Sequence, residues 1–97
     1  MSSDAARLED IEANAKELAT TEARERTSSE AKVLADLRAK EAAREATAGL
    51  YGAARDSRYT NVYEETYEKA YEAAFDEQMA TGIGKMVYDE VLKREMR

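Results

Sequence analysis

The chain has 97 residues, of which 37% are charged, a formal net charge of −6, and no histidine, cysteine, proline or tryptophan. These absences remove the most common general base, the thiol nucleophile and the usual zinc ligands. Without cysteine no disulfide can form, which is typical of a reducing compartment. We therefore expect a protein that is not an enzyme and that needs no cofactor or metal.

The composition predicts an all-α protein of at most one domain. Nineteen alanines accompany many glutamates, arginines and lysines, which are all strong helix formers. Setting aside Met1, only sixteen valine, leucine, isoleucine, methionine and phenylalanine residues are available for a core, and seven of them precede Arg58. So small an apolar set favours oligomerisation or a larger partner over a compact monomer.

Residues 1–57 are predicted to form an alanine- and charge-rich helical arm, built as one long helix or two shorter ones. The first turns carry apolar residues with the spacing of a heptad seam, namely Leu8, Ile11, Ala15 and Leu18. Thr27 and Glu30 are three residues apart, as in a capping box. We therefore expect a first break in the helix near residues 25–29.

Further breaks are expected where glycines and short polar segments interrupt the helical pattern. Gly49 and Gly52 weaken a helix by about 1 kcal/mol each relative to alanine, which fits a frayed helix end or a close backbone contact. Gly82 suits a left-handed C-terminal cap. The expected fold has three to four helices and is elongated or hairpin-like and oligomeric. Its short breaks lie near residues 25–29, 55–60 and 81–84.

Residues 58–97 are predicted to form a helical hairpin made of a Tyr-rich helix and a C-terminal helix. The Tyr-rich helix contains a four-residue repeat in which an acid follows each aromatic residue. The apolar members of the repeat are Tyr59, Tyr63, Tyr67, Tyr71, Phe75 and Met79. The acidic members are Glu64, Glu68, Glu72 and Asp76. Because a spacing of four exceeds the helical repeat of about 3.6 residues, both rows wind slowly around the helix.

We predict that the apolar and acidic rows of this repeat bind a protein partner. A fully buried ring contributes roughly 2–3 kcal/mol, which exceeds the few tenths of a kcal/mol that like charges four residues apart cost. Two interpretations of the rings stay open: the protein's own core with hydroxyls at its rim, or a surface that stays exposed until a partner binds. Small residues beside the rings would let a second backbone approach, namely Val62, Thr66, Ala70 and Ala73 or Ala74.

Two classes of function fit these features. The first is a structural or assembly subunit, such as a component of a virion or of another multiprotein complex, which binds a protein partner or other copies of itself. The composition of residues 4–55 is similar in style to helical segments of phage internal virion and scaffolding proteins, although no diagnostic motif accompanies it. The second is a small acidic inhibitor whose acidic row imitates nucleic-acid phosphates and blocks a basic groove.

Several other functions are not expected from the distribution of charge and apolar residues. Direct nucleic-acid binding needs a basic surface, whereas residues 61–80 contain six acids and one base. No apolar run approaches the length of a membrane span. The first residues lack the basic start and the apolar stretch of a signal peptide. We expect a cytoplasmic protein, or one incorporated into a particle assembled in the cytoplasm.

Overall fold

The computed structural model describes residues 2–97, and all the regular structure within them is helical. Helix α1 covers Ser2–Ala46, α2 covers Gly52–Thr81 and α3 covers Ile83–Glu95. The predicted all-α class is therefore confirmed, and residues 2–97 form three helices where three to four were expected. Among residues 2–97, none of the helices has both the length and the apolar character needed to span a bilayer.

The chain divides into two compact units, and the first is a helical hairpin. This unit is Ser29–Asp76, which joins the second half of α1 to most of α2. Residues 47–51 form the turn between the two helices. The Thr47 hydroxyl donates to the Ala43 carbonyl at 2.7 Å, and the Leu50 N–H donates to the Thr47 carbonyl at 3.0 Å. The turn therefore satisfies backbone groups that the end of α1 leaves unpaired.

The turn shows that the predicted break near residues 55–60 is wrong, because these residues lie inside α2. Gly49 and Gly52 have φ angles of 82° and 64°, which glycine adopts at little cost. The chain therefore reverses at the glycines, and the helix α1 ends just before them. Residues 55–60 are polar but not helix-breaking, and the Arg55 guanidinium lies 5.7 Å from the centre of the Tyr59 ring.

The second unit consists of the chain up to Ser28 together with Glu77–Arg97, so that α3 and the first part of α1 belong to the same unit. Val91 is 3% exposed, and the Arg94 guanidinium pairs with the Glu22 carboxylate at 3.4 Å. Gly84 is buried close to Thr27, since a Cβ added at Gly84 would lie 2.5 Å from the Thr27 hydroxyl oxygen. A glycine is thus required where α3 crosses this part of α1.

The predicted break near residues 81–84 is confirmed, but its geometry differs from the expectation. Helix α2 ends at Thr81 and α3 begins at Ile83, while Gly82 has φ −111° and ψ −139°. The predicted left-handed cap at Gly82 is therefore wrong. Instead, the Gln78 side-chain oxygen accepts a hydrogen bond from the Ile83 N–H at 3.0 Å. This side chain takes over the capping role that a left-handed glycine would have had.

The predicted break near residues 25–29 is also wrong, because α1 continues through this segment. Thr27 is fully buried, and its hydroxyl donates to the Met79 sulfur at 3.3 Å. A capping threonine would have to turn this hydroxyl toward the backbone N–H groups of its own helix. The Thr27 side chain is instead directed at Met79 from within a continuous helix, so the local capping pattern does not start a new helix.

The core of the described chain is built almost entirely from alanine. Its buried hydrophobic residues are seven alanines of α1 and Val91 of α3. In the unit Ser29–Asp76 the buried alanines are Ala31, Ala35, Ala39 and Ala43, each with no exposed area. In the other unit they are Ala15, Ala19 and Ala23. Thr27 and Thr47 continue the same spacing, so every fourth residue is buried from Ala15 in α1 to Thr47 just after its end.

The heptad-spaced residues in the first turns of α1 do not form a seam that is buried within the chain. Leu8, Ile11 and Leu18 are 64%, 42% and 38% exposed, and only Ala15 of that set is buried. Every residue from Asp4 to Asn14 is exposed. The covered face follows the four-residue alanine row because small side chains let another helix approach closely, whereas leucine at the same positions would hold it away.

Candidate functional site

The aromatic members of the four-residue repeat form a stacked ladder along α2. Neighbouring ring centres from Tyr59 to Phe75 are 5.9–6.4 Å apart, and their planes are inclined by 8–29°. These distances lie within the range of about 4.5–7 Å in which aromatic pairs attract each other. All five rings are half-buried, so the ladder is neither enclosed in a core nor fully presented to solvent. We call these five residues the ring ladder.

The alanine row of α1 accounts for the covered side of the ring ladder. In the unit Ser29–Asp76, α2 is the only helix besides the second half of α1, and the four alanines there have no exposed area. The small residues beside the rings are half-buried as well, namely Val62, Thr66, Ala70 and Ala74. Both rows repeat every four residues, so each winds around its own helix at the same rate.

A hydrogen-bonded group fixes the register between the two helices of the hairpin. The Tyr63 hydroxyl donates to Asp36 Oδ1 at 2.5 Å, and Lys40 Nζ lies 2.9 Å from Asp36 Oδ2. The bond from Tyr63, followed by that from Lys40, lowers the pKa of Asp36 below its usual value. The bond to Asp36 in turn raises the pKa of Tyr63 from 10.0 to about 12.

This hydrogen bond predicts that the hairpin loses stability as pH rises from about 10 to about 12. In this range the folded state keeps the Tyr63 proton that the unfolded state releases, so the free energy of unfolding falls with pH. The pKa of Asp36 is lowered in the folded protein. The stability that ionised Asp36 contributes is therefore fully present above its unfolded pKa and is lost as pH falls through its folded pKa. The Tyr63→Phe variant should show a shallower alkaline decline in urea unfolding midpoints. Equal declines in both proteins would contradict this role of the bond.

Met79, the last predicted member of the apolar row, belongs to the other compact unit. Its sulfur accepts the Thr27 hydroxyl, and its Cα would lie 2.8 Å from a Cβ added at Gly84. Met79 is half-buried, like the five rings. Its partners are therefore Thr27 of α1 and Gly84 of α3, whereas the ring ladder is covered by the alanine row.

The acidic row forms a continuous exposed line on α2. Glu64, Glu68, Glu72 and Asp76 are all exposed. Among residues 2–97, no ion pair joins any of these four carboxylates to a basic side chain. Lys69 pairs with Glu65 at 3.3 Å instead. The described residues also contain no cluster of three or more acids arranged to hold a metal ion.

The four-residue spacing of the alanine row is the feature of this site that the sequence analysis did not identify. Its signal is present in the sequence, because alanine or threonine occupies every fourth position from Ala15 to Thr47. The larger apolar residues of the same helix have heptad-like spacing and obscured this pattern.

No protein-family model matches the chain, and neither curated proteins nor solved structures include a significant match.

Proposed function

We propose that this chain is a non-enzymatic structural or assembly subunit that acts by binding protein, either other copies of itself or a larger partner. A virion or another multiprotein complex assembled in the cytoplasm is the setting that we propose. The carrying observation is the distribution of apolar side chains. Alanine fills the core, while the large apolar residues with substantial exposure are Leu8, Ile11, Leu18, Val33, Leu37, Leu50, Tyr51, Met86 and Met96.

This distribution is the reverse of what a self-sufficient monomer of this size needs. Fully burying a leucine, valine or methionine side chain stabilises a protein by about 1.5–3 kcal/mol. Leu37 and Val33 are 60% and 58% exposed, and Met86 is 65% exposed, so most of this contribution is not realised within the chain. A protein partner that covers several of these side chains would supply it, which supports an assembly role.

The aromatic and acidic rows of α2 add a second surface suited to protein binding. The ring ladder is only half-buried, and the acids beside it are exposed without basic partners in the described chain. Tyrosine is common among the residues that dominate binding energy at interfaces. A partner with basic side chains could therefore contact ring edges and carboxylates at once, with the acids guiding its approach.

Sedimentation velocity of the purified chain over a series of concentrations tests the assembly proposal. We expect a defined oligomer whose fraction grows with concentration, because the exposed apolar area is covered only when copies meet. Added salt should leave the oligomer largely intact if apolar contacts dominate it. A chain that sediments as a monomer throughout the series would contradict self-assembly.

The exposed acidic row supports one alternative, an acidic inhibitor that occupies a basic groove of a nucleic-acid-processing complex. Charges four residues apart are separated by about 6 Å along a helix axis, whereas a DNA strand carries one charge per roughly 3.4 Å. The row therefore offers about half the linear charge density of one strand, which makes it a weaker imitation. A monomer whose binding to a basic partner falls sharply with salt would favour this alternative.

A further inference from the structure

The tip of the hairpin carries a surface that neither the ring ladder nor the acidic row explains. Residues 46–54 contain no charged side chain and form the longest such run in a chain that is 37% charged. Within this run Tyr51 is 85% exposed and Leu50 is 39% exposed. Turn residues are usually polar because they face water. An exposed tyrosine beside an exposed leucine on a tight turn is therefore a feature suited to binding.

The turn geometry holds these two side chains outside the hairpin. Gly49 and Gly52 flank them with positive φ angles, and a Cβ added at either glycine would meet no atom within 4 Å. The glycines are thus needed for the path of the backbone and not for close packing. The Leu50 N–H is held by the Thr47 carbonyl at 3.0 Å, so the tip is a defined turn.

Arginine side chains lie beside the tip, in contrast to the acidic balance of the whole chain. Residues 38–58 contain five bases and three acids, and one of these bases, Lys40, pairs with Asp36 outside this range. Arg44 and Arg55 line one depression of about 340 Å³ beside the turn, together with Asp56, Tyr59 and Thr60. Arg55 pairs with Asp56 at 3.6 Å, whereas no carboxylate of residues 2–97 pairs with Arg44. The tip is therefore apolar at its centre and basic at its edge.

The first turns of α1 have the complementary character. Every residue from Asp4 to Asn14 is exposed, and Leu8 and Ile11 are 64% and 42% exposed on this segment. Between Asp4 and Leu18 there are five acids and two bases. This segment is thus an uncovered helix with large apolar side chains and an acidic surround, which matches an apolar tip with a basic rim.

We infer that the Leu50-Tyr51 tip of one copy binds the uncovered start of α1 on a second copy, an inference that rests on the proposed assembly function. Tyr51 would lie against Leu8 and Ile11, while Arg44 would face the surrounding carboxylates. The two contacting surfaces differ, so the contact is heterologous and each copy binds two neighbours. Such contacts build a closed ring or an extended filament.

Two single variants and their mixture test this contact. Tyr51→Asp replaces the apolar side chain at the centre of the tip with a charge, and Leu8→Asp does the same on the α1 surface. Neither substitution alters a buried residue. We expect each variant alone to associate about thirtyfold or more weakly than wild type, as for a central interface residue. Mixed together, they should form a one-to-one dimer, because each still carries one intact surface. Ala80→Asp, at an exposed residue of α2 outside both surfaces, is the control for the added charge and should associate like wild type.

The outcomes separate this contact from the assembly proposal itself. If wild type associates and Tyr51→Asp associates equally well, the tip contact is overturned while assembly stands. If both variants are monomeric and their mixture stays monomeric, the heterologous arrangement is overturned. A wild-type chain that stays monomeric overturns both this contact and self-assembly. Arg44→Glu should weaken association more at low salt than at high salt.

Discussion

Replacing Ala35 and Ala39 together by leucine is expected to lower the free energy of unfolding of the hairpin by about 2–6 kcal/mol. Both alanines have no exposed area and belong to the row that faces α2. Inserting larger side chains into a well-packed core costs about 1–3 kcal/mol per site. Leucine is also a good helix former, so helix propensity changes little and the loss reports packing. Urea unfolding followed by circular dichroism measures it.

Ala73→Leu is the matched control for this substitution. Ala73 is also in a helix of the hairpin, but it is exposed, so the same added atoms meet solvent and not α1. We expect a change within about 0.5 kcal/mol of wild type. Should the double variant unfold at the same urea concentration as this control, the close approach of the two helices along the alanine row would be refuted.

Replacing Tyr63, Tyr67 and Tyr71 by alanine is expected to destabilise the same hairpin by about 5–9 kcal/mol. These three substitutions remove all four stacked pairs of the ring ladder, at about 0.5–1.5 kcal/mol per pair. Each half-buried ring also loses roughly 1 kcal/mol of apolar burial, about half that of a fully covered side chain. The total approaches the stability of an entire small domain, about 5–15 kcal/mol.

The acidic row offers a control on the same helix with the same spacing. Glu64, Glu68 and Glu72 are exposed, and changing them to alanine removes like-charge repulsion without uncovering a ring. We expect the stability of this variant to equal or slightly exceed that of wild type. Thermal or urea unfolding of both triple variants, run side by side, makes the comparison. A tyrosine variant as stable as the glutamate variant would mean that the ring ladder does not hold the hairpin together.

The ring-ladder prediction bears on how assembly should be tested. Because the rings support the hairpin itself, loss of an oligomer after ring removal would not separate a lost interface from a lost fold. Exposed positions such as Tyr51 and Leu8 avoid this problem, since they have few contacts within the chain to lose. The rings are half-buried, so they are not enclosed in the protein's own core, and whether a partner covers the exposed part stays a prediction.

The sequence by itself determined that the protein is all-α, that residues 58–80 are helical and that a break lies near Gly82. These features follow from local causes: strong helix formers, the absence of proline, and glycine at a helix end. The aromatic repeat was likewise readable, because side chains four apart on a helix are neighbours whatever surrounds them. The chain reversal at Gly49 and Gly52 had a local signal too, but the charged segment after it competed for the loop.

Only the tertiary structure decided which face of α1 is covered. Leu8, Ile11 and Leu18 have the better apolar pattern, yet the buried row is alanine, because helix approach depends on the size of the side chains on both partners. The same contacts decided that α1 continues through Thr27, whose hydroxyl bonds the Met79 sulfur fifty-two residues away. Local pattern identifies where helices form, whereas the fit between two surfaces determines which residues they bury.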